Sequence, residues 1–139
     1  MIGFIVTGHG NFATGITSAV TLVTGIEKGV IACDFDDVNK YDSIRQKLEK
    51  AVEEFKDCDD IVIFCDLFSG TPFNQALDMK VSTGNEKIHI VYGSNLPLLI
   101  EAILSGTNGA DMERITEIVE TAKGSIGMVQ DKVVDEDDF

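Results

Sequence analysis

A histidine set between two glycines, His9, is the first group in the chain that could act as a nucleophile. It stands in the run Thr7-Gly8-His9-Gly10-Asn11, which follows a short apolar stretch. The flanking Gly8 and Gly10 shield the imidazole poorly and let backbone N–H groups approach a ligand closely. When one imidazole nitrogen is held by a partner, the lone pair of the other is free to attack. His9 is therefore our candidate nucleophile, with an incidental loop histidine as the plainer alternative.

A second polar run, Asp66-Leu67-Phe68-Ser69-Gly70-Thr71-Pro72-Phe73-Asn74, offers such a partner and a place for phosphate. The Asp66 carboxylate can accept a hydrogen bond from one imidazole nitrogen and so fix the tautomer. Ser69, Gly70 and Thr71 would then line the site of a phosphoryl group on the imidazole, because free N–H groups at a helix start bind phosphate oxygens. The plainer alternatives are a strand-end role for Asp66 and a simple helix start at Thr71.

The sequence lacks the usual parts for handling a nucleotide. There is no glycine-rich loop ending in Lys-Ser or Lys-Thr, and no carboxylate cluster suited to Mg²⁺. We therefore expect no metal and no cofactor, and a phosphoryl group that arrives from another protein. The net charge of −13 over 139 residues would repel nucleic acid and attract a basic protein surface, although it also serves solubility.

The elements that must position these groups follow from hydrophobic patterning. Four runs are apolar almost throughout, which is typical of strands covered on both faces; they lie at 2–7, 30–34, 61–66 and 88–92. Amphipathic helical patterns separate them and follow the last one; they lie at 12–23, 41–55, from Thr71, from Asn95, and at 111–123. Thr71 is expected to be the N-cap of the third helix, with Pro72 at its first helical position.

This alternation predicts a doubly wound, mostly parallel α/β sheet of order 2-1-3-4 with helices on both faces. We expect a single domain over 1–134, a short and weaker edge strand within 125–134, and a flexible acidic tail over 135–139. In such sheets the site lies beyond the carboxyl ends of the strands. The first and third strands would be neighbours about 4.8 Å apart, so the loops that begin at Thr7 and Asp66 should face one another.

Several other residues are expected to be structural. Cys33, Cys58 and Cys65 lack metal spacing, and we expect reduced thiols that act as small hydrophobic groups. His89 lies within an apolar strand, and Asn95 resembles a helix cap, with a contribution to the rim of the site as the alternative. No apolar stretch is long enough to cross a bilayer and no basic segment leads the chain, so we expect a cytoplasmic protein.

At these residues the sequence resembles the enzyme IIA component of the mannose-type sugar phosphotransferase system, across nearly the whole chain. The matching runs are Ile5-Val6-Thr7-Gly8-His9-Gly10, Asp66-Leu67-Phe68-Ser69-Gly70-Thr71-Pro72-Phe73-Asn74 and Gly93-Ser94-Asn95-Leu96-Pro97. The resemblance implies a phosphotransferase without a cofactor, in which His9 takes a phosphoryl group from the phosphohistidine of the carrier protein HPr. His9 then passes it to a histidine of the IIB component, and sugar is phosphorylated during uptake through the membrane components IIC and IID.

The resemblance also implies that Asp66 orients His9 through Nδ1–H while Nε2 carries the phosphoryl group, and that the chain forms a homodimer through a C-terminal edge strand. Three alternatives stay open. The phosphocarrier subunit of dihydroxyacetone kinases shares the fold and an equivalent histidine. A flavodoxin-like module for flavin or nucleotide would need rings to stack, whereas the chain has no Trp and two Tyr. A receiver domain would need an acidic pair after the first strand, where Thr7-Gly8-His9 stand.

Overall fold

The computed structural model of the chain describes residues 1–37 and 40–131. Strands and helices alternate in the order expected from the sequence: β1 (Ile2–His9), α1 (Phe12–Thr24), β2 (Val30–Phe35), α2 (Tyr41–Glu54), β3 (Asp60–Cys65), α3 (Thr71–Thr83), β4 (Ile88–Val91), α4 (Leu96–Thr107) and α5 (Met112–Ala122).

The four strands form one parallel sheet of order β2-β1-β3-β4, which confirms the predicted topology. The central strand β1 is two residues longer than expected, because Gly8 still pairs with Asp34 and His9 with Phe35. His9 is therefore the last residue of a strand and not a loop residue. Its backbone is held in the sheet, and only its side chain projects beyond the edge.

The core has two layers, one on each face of the sheet, which explains why the strands are apolar throughout. Phe4 and Val6 of β1 point to the face covered by α1, α4 and α5. Ile5 lies between them and points to the opposite face, against α2 and α3. Phe4 stacks on Phe64 of the neighbouring strand, with ring centroids 6.0 Å apart. This alternation is the period of two that a strand imposes, here with both faces buried.

Two helix starts at the carboxyl edge of the sheet differ in their capping. Asn95 is the N-cap of α4, as predicted, and its side-chain oxygen accepts a hydrogen bond from the N–H of Leu98 at 3.1 Å. The expectation of Thr71 as N-cap of α3 is wrong by one residue, because Thr71 is already helical. Gly70 is the cap; its backbone is extended at φ −77° and ψ 169°. Pro72 is accordingly the second helical residue.

The C-terminal segment differs from expectation in the part that the structure describes. Residues 125–131 form no strand, since none of the described strands pairs with them. Their large apolar side chains Ile126, Met128 and Val129 are instead exposed. The remainder of the predicted edge strand, 132–134, and the acidic tail over 135–139 lie outside the described residues. Within the described ranges, no helix has the length and apolar character needed to span a membrane.

Candidate functional site

His9 and Asp66 meet at the carboxyl edge of the sheet, at the ends of the neighbouring strands β1 and β3. The Nδ1 atom of His9 lies 2.8 Å from Oδ2 of Asp66. An ionised carboxylate can only accept, so this contact requires the proton on Nδ1 and leaves the lone pair on Nε2. The His9 side chain is 44% exposed, whereas that of Asp66 is 13% exposed. The arrangement is that of an oriented base whose second nitrogen can act as a nucleophile.

The Asp66 carboxylate is held by two backbone groups besides the imidazole. Its Oδ2 also accepts the N–H of His9 at 2.8 Å, and its Oδ1 accepts the N–H of Leu67 at 2.9 Å. Gly8 makes this arrangement possible, because a Cβ atom there would lie 2.8 Å from Cγ of Asp66. These hydrogen bonds thus fix the orientation of both carboxylate oxygens of Asp66. The imidazole has one orientation in which Nδ1 can donate to this carboxylate.

The start of α3 lies against the imidazole at Cε1, the carbon between its two nitrogens. A Cβ atom on Gly70 would lie 2.6 Å from Cε1 and 3.3 Å from Nε2 of His9, so the backbone of Gly70 is in direct contact with the ring. Ser69 and Thr71 flank this contact. The first-turn N–H groups of a helix have no partner within the helix and favour anions. The start of α3 therefore lies beside Nε2, and the binding of phosphate oxygens by its N–H groups stays a prediction.

Strand β2 supports His9 from its other side. The N–H of Gly10 donates to the carbonyl of Phe35 at 2.7 Å, and the Phe35 ring contacts the imidazole edge-on, with centroids 5.9 Å apart. Gly10 has a φ of +57°, which favours glycine. Because its N–H is engaged, Gly10 shapes the turn after β1, and Gly8 is buried beside Asp66. Their predicted part in binding a phosphoryl group stays a prediction.

An exposed group of apolar side chains lies beside the site, on the side of β4. We use the term apolar rim for Leu67, Phe68 and Tyr92, whose exposed fractions are 50%, 62% and 57%. Phe68 contacts Phe73 and Tyr92, with ring centroids 5.0 Å apart in each case. Exposed apolar groups of this size next to a reactive side chain are typical of a surface that another protein covers.

Within the described ranges, the remaining candidates from the sequence form no hydrogen bond, ion pair or ring contact with the imidazole of His9. Nε2 of His89 is bound to Asp60 at 2.8 Å, near the start of β3, which fits a structural role. All three cysteines are free and buried, and burial raises the pKa of Cys33 to about 11 and that of Cys65 to about 12. Among the described residues, no group of three or more His, Cys, Asp or Glu side chains is arranged to hold a metal ion.

Two residues that shape the site, Phe35 and Asn74, were not predicted from the sequence. Phe35 packs against the imidazole, and its position follows only from the register of β1 with β2. Asn74 donates a side-chain hydrogen bond to the carbonyl of Ser69 at 3.0 Å. Asn74 belongs to the unusual run after β3, but its role depends on the backbone conformation of Ser69, which a single sequence does not reveal.

Comparisons with known proteins identify the family and the relatives of this fold. The family model described as PTS system fructose IIA component, EIIA-man, matches residues 3–123. The chain is 26% identical over 103 residues to the fructose-specific EIIA component of Bacillus subtilis, covering 74% of this chain and 69% of that protein. Among solved structures, a phosphotransferase system component EIIA from Streptococcus agalactiae superposes with a TM-score of 0.80 at 31% identity, covering 96% of this chain and all of that one. A PTS IIA protein associated with the fucose utilization operon of Streptococcus pneumoniae gives a TM-score of 0.83 at 27% identity, covering 96% of both chains.

Proposed function

The chain belongs to the EIIA-man family of sugar phosphotransferase system components, and we propose that it carries a phosphoryl group on Nε2 of His9. The observation that carries this proposal is the hydrogen bond between Nδ1 of His9 and Asp66 at 2.8 Å. It presents Nε2, with its lone pair, to the start of α3. In the proposed site Ser69, Gly70 and Thr71 hold the phosphoryl oxygens.

The proposed transfer step needs no metal and no cofactor. The lone pair of Nε2 attacks the phosphorus of a phosphohistidine on the donor, and the donor's phosphorus–nitrogen bond breaks. The electron pair of that bond stays on the donor imidazole, while the new bond joins phosphorus to Nε2. Asp66 keeps the proton on Nδ1 and stabilises the positive charge that develops on the ring.

We propose that the donor is HPr and the acceptor a IIB component, which phosphorylates sugar during its uptake through the membrane components IIC and IID; these two are indirect partners of the chain. The apolar rim gives such partners a surface to cover beside His9. The net charge of −13 favours a donor with a basic surface, since opposite charges accelerate encounter. This function places the chain in the cytoplasm. The relatives named above differ in the sugar that their descriptions mention, so the sugar is not assigned.

The experiment that tests the proposal incubates the chain with enzyme I, HPr and phosphoenolpyruvate and measures the intact mass. We expect one added phosphoryl group, labile to acid and stable to base. The chain has two histidines, which provides a matched control: His9→Ala should abolish the modification and His89→Ala should retain it. An unchanged mass in the presence of active HPr would refute the proposal. Transfer onward to a dihydroxyacetone kinase, and not to IIB, would favour that alternative, and flavin absorbance in the purified protein would favour the flavodoxin-like one.

We also propose, from the family resemblance, that two copies pair through their C-terminal segments. The exposed side chains of Ile126, Met128 and Val129 lie in a segment without a partner strand among the described residues. A cavity of about 360 Å³ opens beside them, between the outer strand β4 and α5. Pairing would bury this apolar surface. Sedimentation equilibrium should therefore give twice the chain mass, and a deletion of 125–139 should give a monomer; a monomeric full chain would exclude the pairing.

A further inference from the structure

We propose that Asn74 is a positioning residue for phosphoryl transfer, because its side chain holds the backbone of Ser69 in the conformation that sets Gly70 against the His9 ring. The inference rests on the proposed function, since it assigns Asn74 to the same site. It goes beyond that function because it concerns a residue that acts through the loop: the amide nitrogen of Asn74 donates to the carbonyl of Ser69.

The backbone of Ser69 is unusual. Its φ is +65°, and among the described residues it is the only residue other than glycine with a positive φ. A side chain with a Cβ atom rarely adopts this conformation, and it persists where surrounding contacts enforce it. Ser69 is exposed at the carboxyl edge of the sheet, so core packing does not supply those contacts.

The contacts come from Asn74, one turn into α3. Its side-chain Nδ2 donates to the carbonyl of Ser69 at 3.0 Å, and its backbone N–H donates to the carbonyl of Gly70 at 2.9 Å. The Asn74 side chain is itself exposed. Pro72 and Phe73 anchor the same turn of α3 in the core. Asn74 therefore ties the strained turn to a rigid helix and has no packing role that would explain its position.

The conformation of this turn decides where the imidazole sits. Asp66 holds Nδ1 of His9 at 2.8 Å, and the backbone of Gly70 contacts the ring at the neighbouring carbon, where a Cβ atom would be 2.6 Å from Cε1. If Ser69 relaxed to a negative φ, Gly70 would move away and the ring would lose one of its two supports. The N–H groups at the start of α3 would also lose their alignment with Nε2. Misplacement of about 1 Å in such a site costs up to about a hundredfold in rate.

The test uses a double-mutant cycle of Asn74→Ala and Ser69→Gly. We call the hydrogen bond from Asn74 to the carbonyl of Ser69 the clamp. Glycine adopts a positive φ without steric cost, so Ser69→Gly removes the need for the clamp. We measure single-turnover phosphorylation of His9 by intact mass with two donors, saturating phospho-HPr and the small molecule phosphoramidate. With phosphoramidate the phosphorus–nitrogen bond of the reagent breaks, ammonia leaves with a solvent proton, and the new bond forms at Nε2.

We expect Asn74→Ala to slow phosphorylation about tenfold with both donors, which corresponds to about 1.4 kcal/mol, the scale of one hydrogen bond. In the Ser69→Gly background the same change should cost less than about threefold. Asn108→Ala is the matched control, because Nδ2 of Asn108 makes the same kind of hydrogen bond, to the carbonyl of Leu104 at 2.9 Å, at the far end of α4. It should leave both rates unchanged.

The other outcomes distinguish failure of the inference from failure of the proposed donor. An unchanged rate in Asn74→Ala would show that the clamp does not position the ring. Slowing with phospho-HPr alone would make Asn74 a docking contact, and an equal loss in the Ser69→Gly background would make its effect independent of the Ser69 backbone. If phosphoramidate modifies His9 while phospho-HPr does not, the proposed donor is wrong, and the phosphoramidate rates still decide the role of Asn74. Modification of His9 by neither donor would overturn the inference and the proposed function together.

Discussion

Replacing Gly70 by alanine should disable phosphoryl transfer while leaving the fold intact. The φ of Gly70 is −77°, a value that alanine adopts freely, so the substitution introduces no backbone strain. The added Cβ atom, however, would lie 2.6 Å from Cε1 of His9, whereas ordinary van der Waals contact begins at 3.4 Å. The ring must therefore retreat by about 0.8 Å, or the loop must move by the same amount.

The size of the effect follows from what that retreat does to the ring. The contact between Nδ1 and Asp66 is 2.8 Å long and leaves little room before the hydrogen bond is lost. Either the imidazole gives up this bond or it turns Nε2 away from the start of α3. For a displacement near 1 Å we expect the transfer rate to fall roughly a hundredfold. Because the ring is half exposed and can yield, the free energy of unfolding should change by less than about 1 kcal/mol.

The assay is single-turnover phosphorylation of His9, followed by intact mass, together with urea denaturation. Gly15→Ala is the matched control, since a Cβ atom at this exposed position in α1 would meet nothing within 4 Å. It should leave the rate unchanged and raise the free energy of unfolding by about 0.5–1 kcal/mol. A Gly70→Ala variant that transfers within about threefold of the unaltered chain would refute the argument that Gly70 supports the ring.

Three further predictions test the orientation of the His9 ring, the packing of the core and the burial of the cysteine thiols. In Asp66→Asn the side chain keeps its size, but one of the two acceptor oxygens becomes an N–H donor that faces Nδ1 or a backbone N–H group. The hydrogen bonds that orient the imidazole are then disrupted, so single-turnover transfer should fall roughly a thousandfold or more, and an unimpaired rate would exclude Asp66 as the orienting group. Gly106→Ala would place a Cβ atom 2.3 Å from a core phenylalanine ring, so urea denaturation should show a loss of about 1–3 kcal/mol while the rate per folded molecule stays constant. Burial raises the pKa of Cys33 to about 11 and of Cys65 to about 12. The unfolded chain therefore releases these protons first, and their contribution to stability is complete at pH 8 and is lost as the pH rises above about 9. Native labelling of both thiols at pH 8 should be far slower than labelling in urea, and equal rates would contradict their burial.

The topology of the sheet could be predicted because its inner strands β1 and β3 are buried on both faces and its outer strands β2 and β4 are half-buried. Near-continuous apolar runs alternate with amphipathic helices, and short connections leave few topologies open. Helix starts were predictable where a side chain forms the cap, as Asn95 does for α4. At α3 the cap is Gly70, whose backbone conformation carries no side-chain signature, and the expectation of Thr71 was wrong for that reason. The segment 125–131 also differs, because a strand depends on a neighbour that the local sequence does not specify.

The proximity of His9 and Asp66 follows from strand order alone, since both residues lie at the carboxyl ends of neighbouring parallel strands. The register between the strands and the backbone dihedral angles of the loops could not be predicted from the sequence. The contact of Phe35 with the imidazole depends on the pairing of β1 with β2. The clamp between Asn74 and Ser69 depends on a positive φ that serine adopts only in context. Strand order therefore predicts which groups meet, while register and local strain decide how they are held.

The position of His9 on a strand explains why substitutions around it should affect rate and stability separately. Its backbone pairs with Phe35 on one side, and its N–H is bound by Asp66 on the other, so the main chain has no freedom to relax. The remaining freedom is in the side-chain torsions, and these are set by Asp66 at Nδ1 and by Gly70 at Cε1. The stability of the fold comes mainly from the apolar core on the two faces of the sheet, and the site lies outside that core. Changes at the two ring contacts should therefore act on the direction of Nε2 and leave the free energy of unfolding nearly constant.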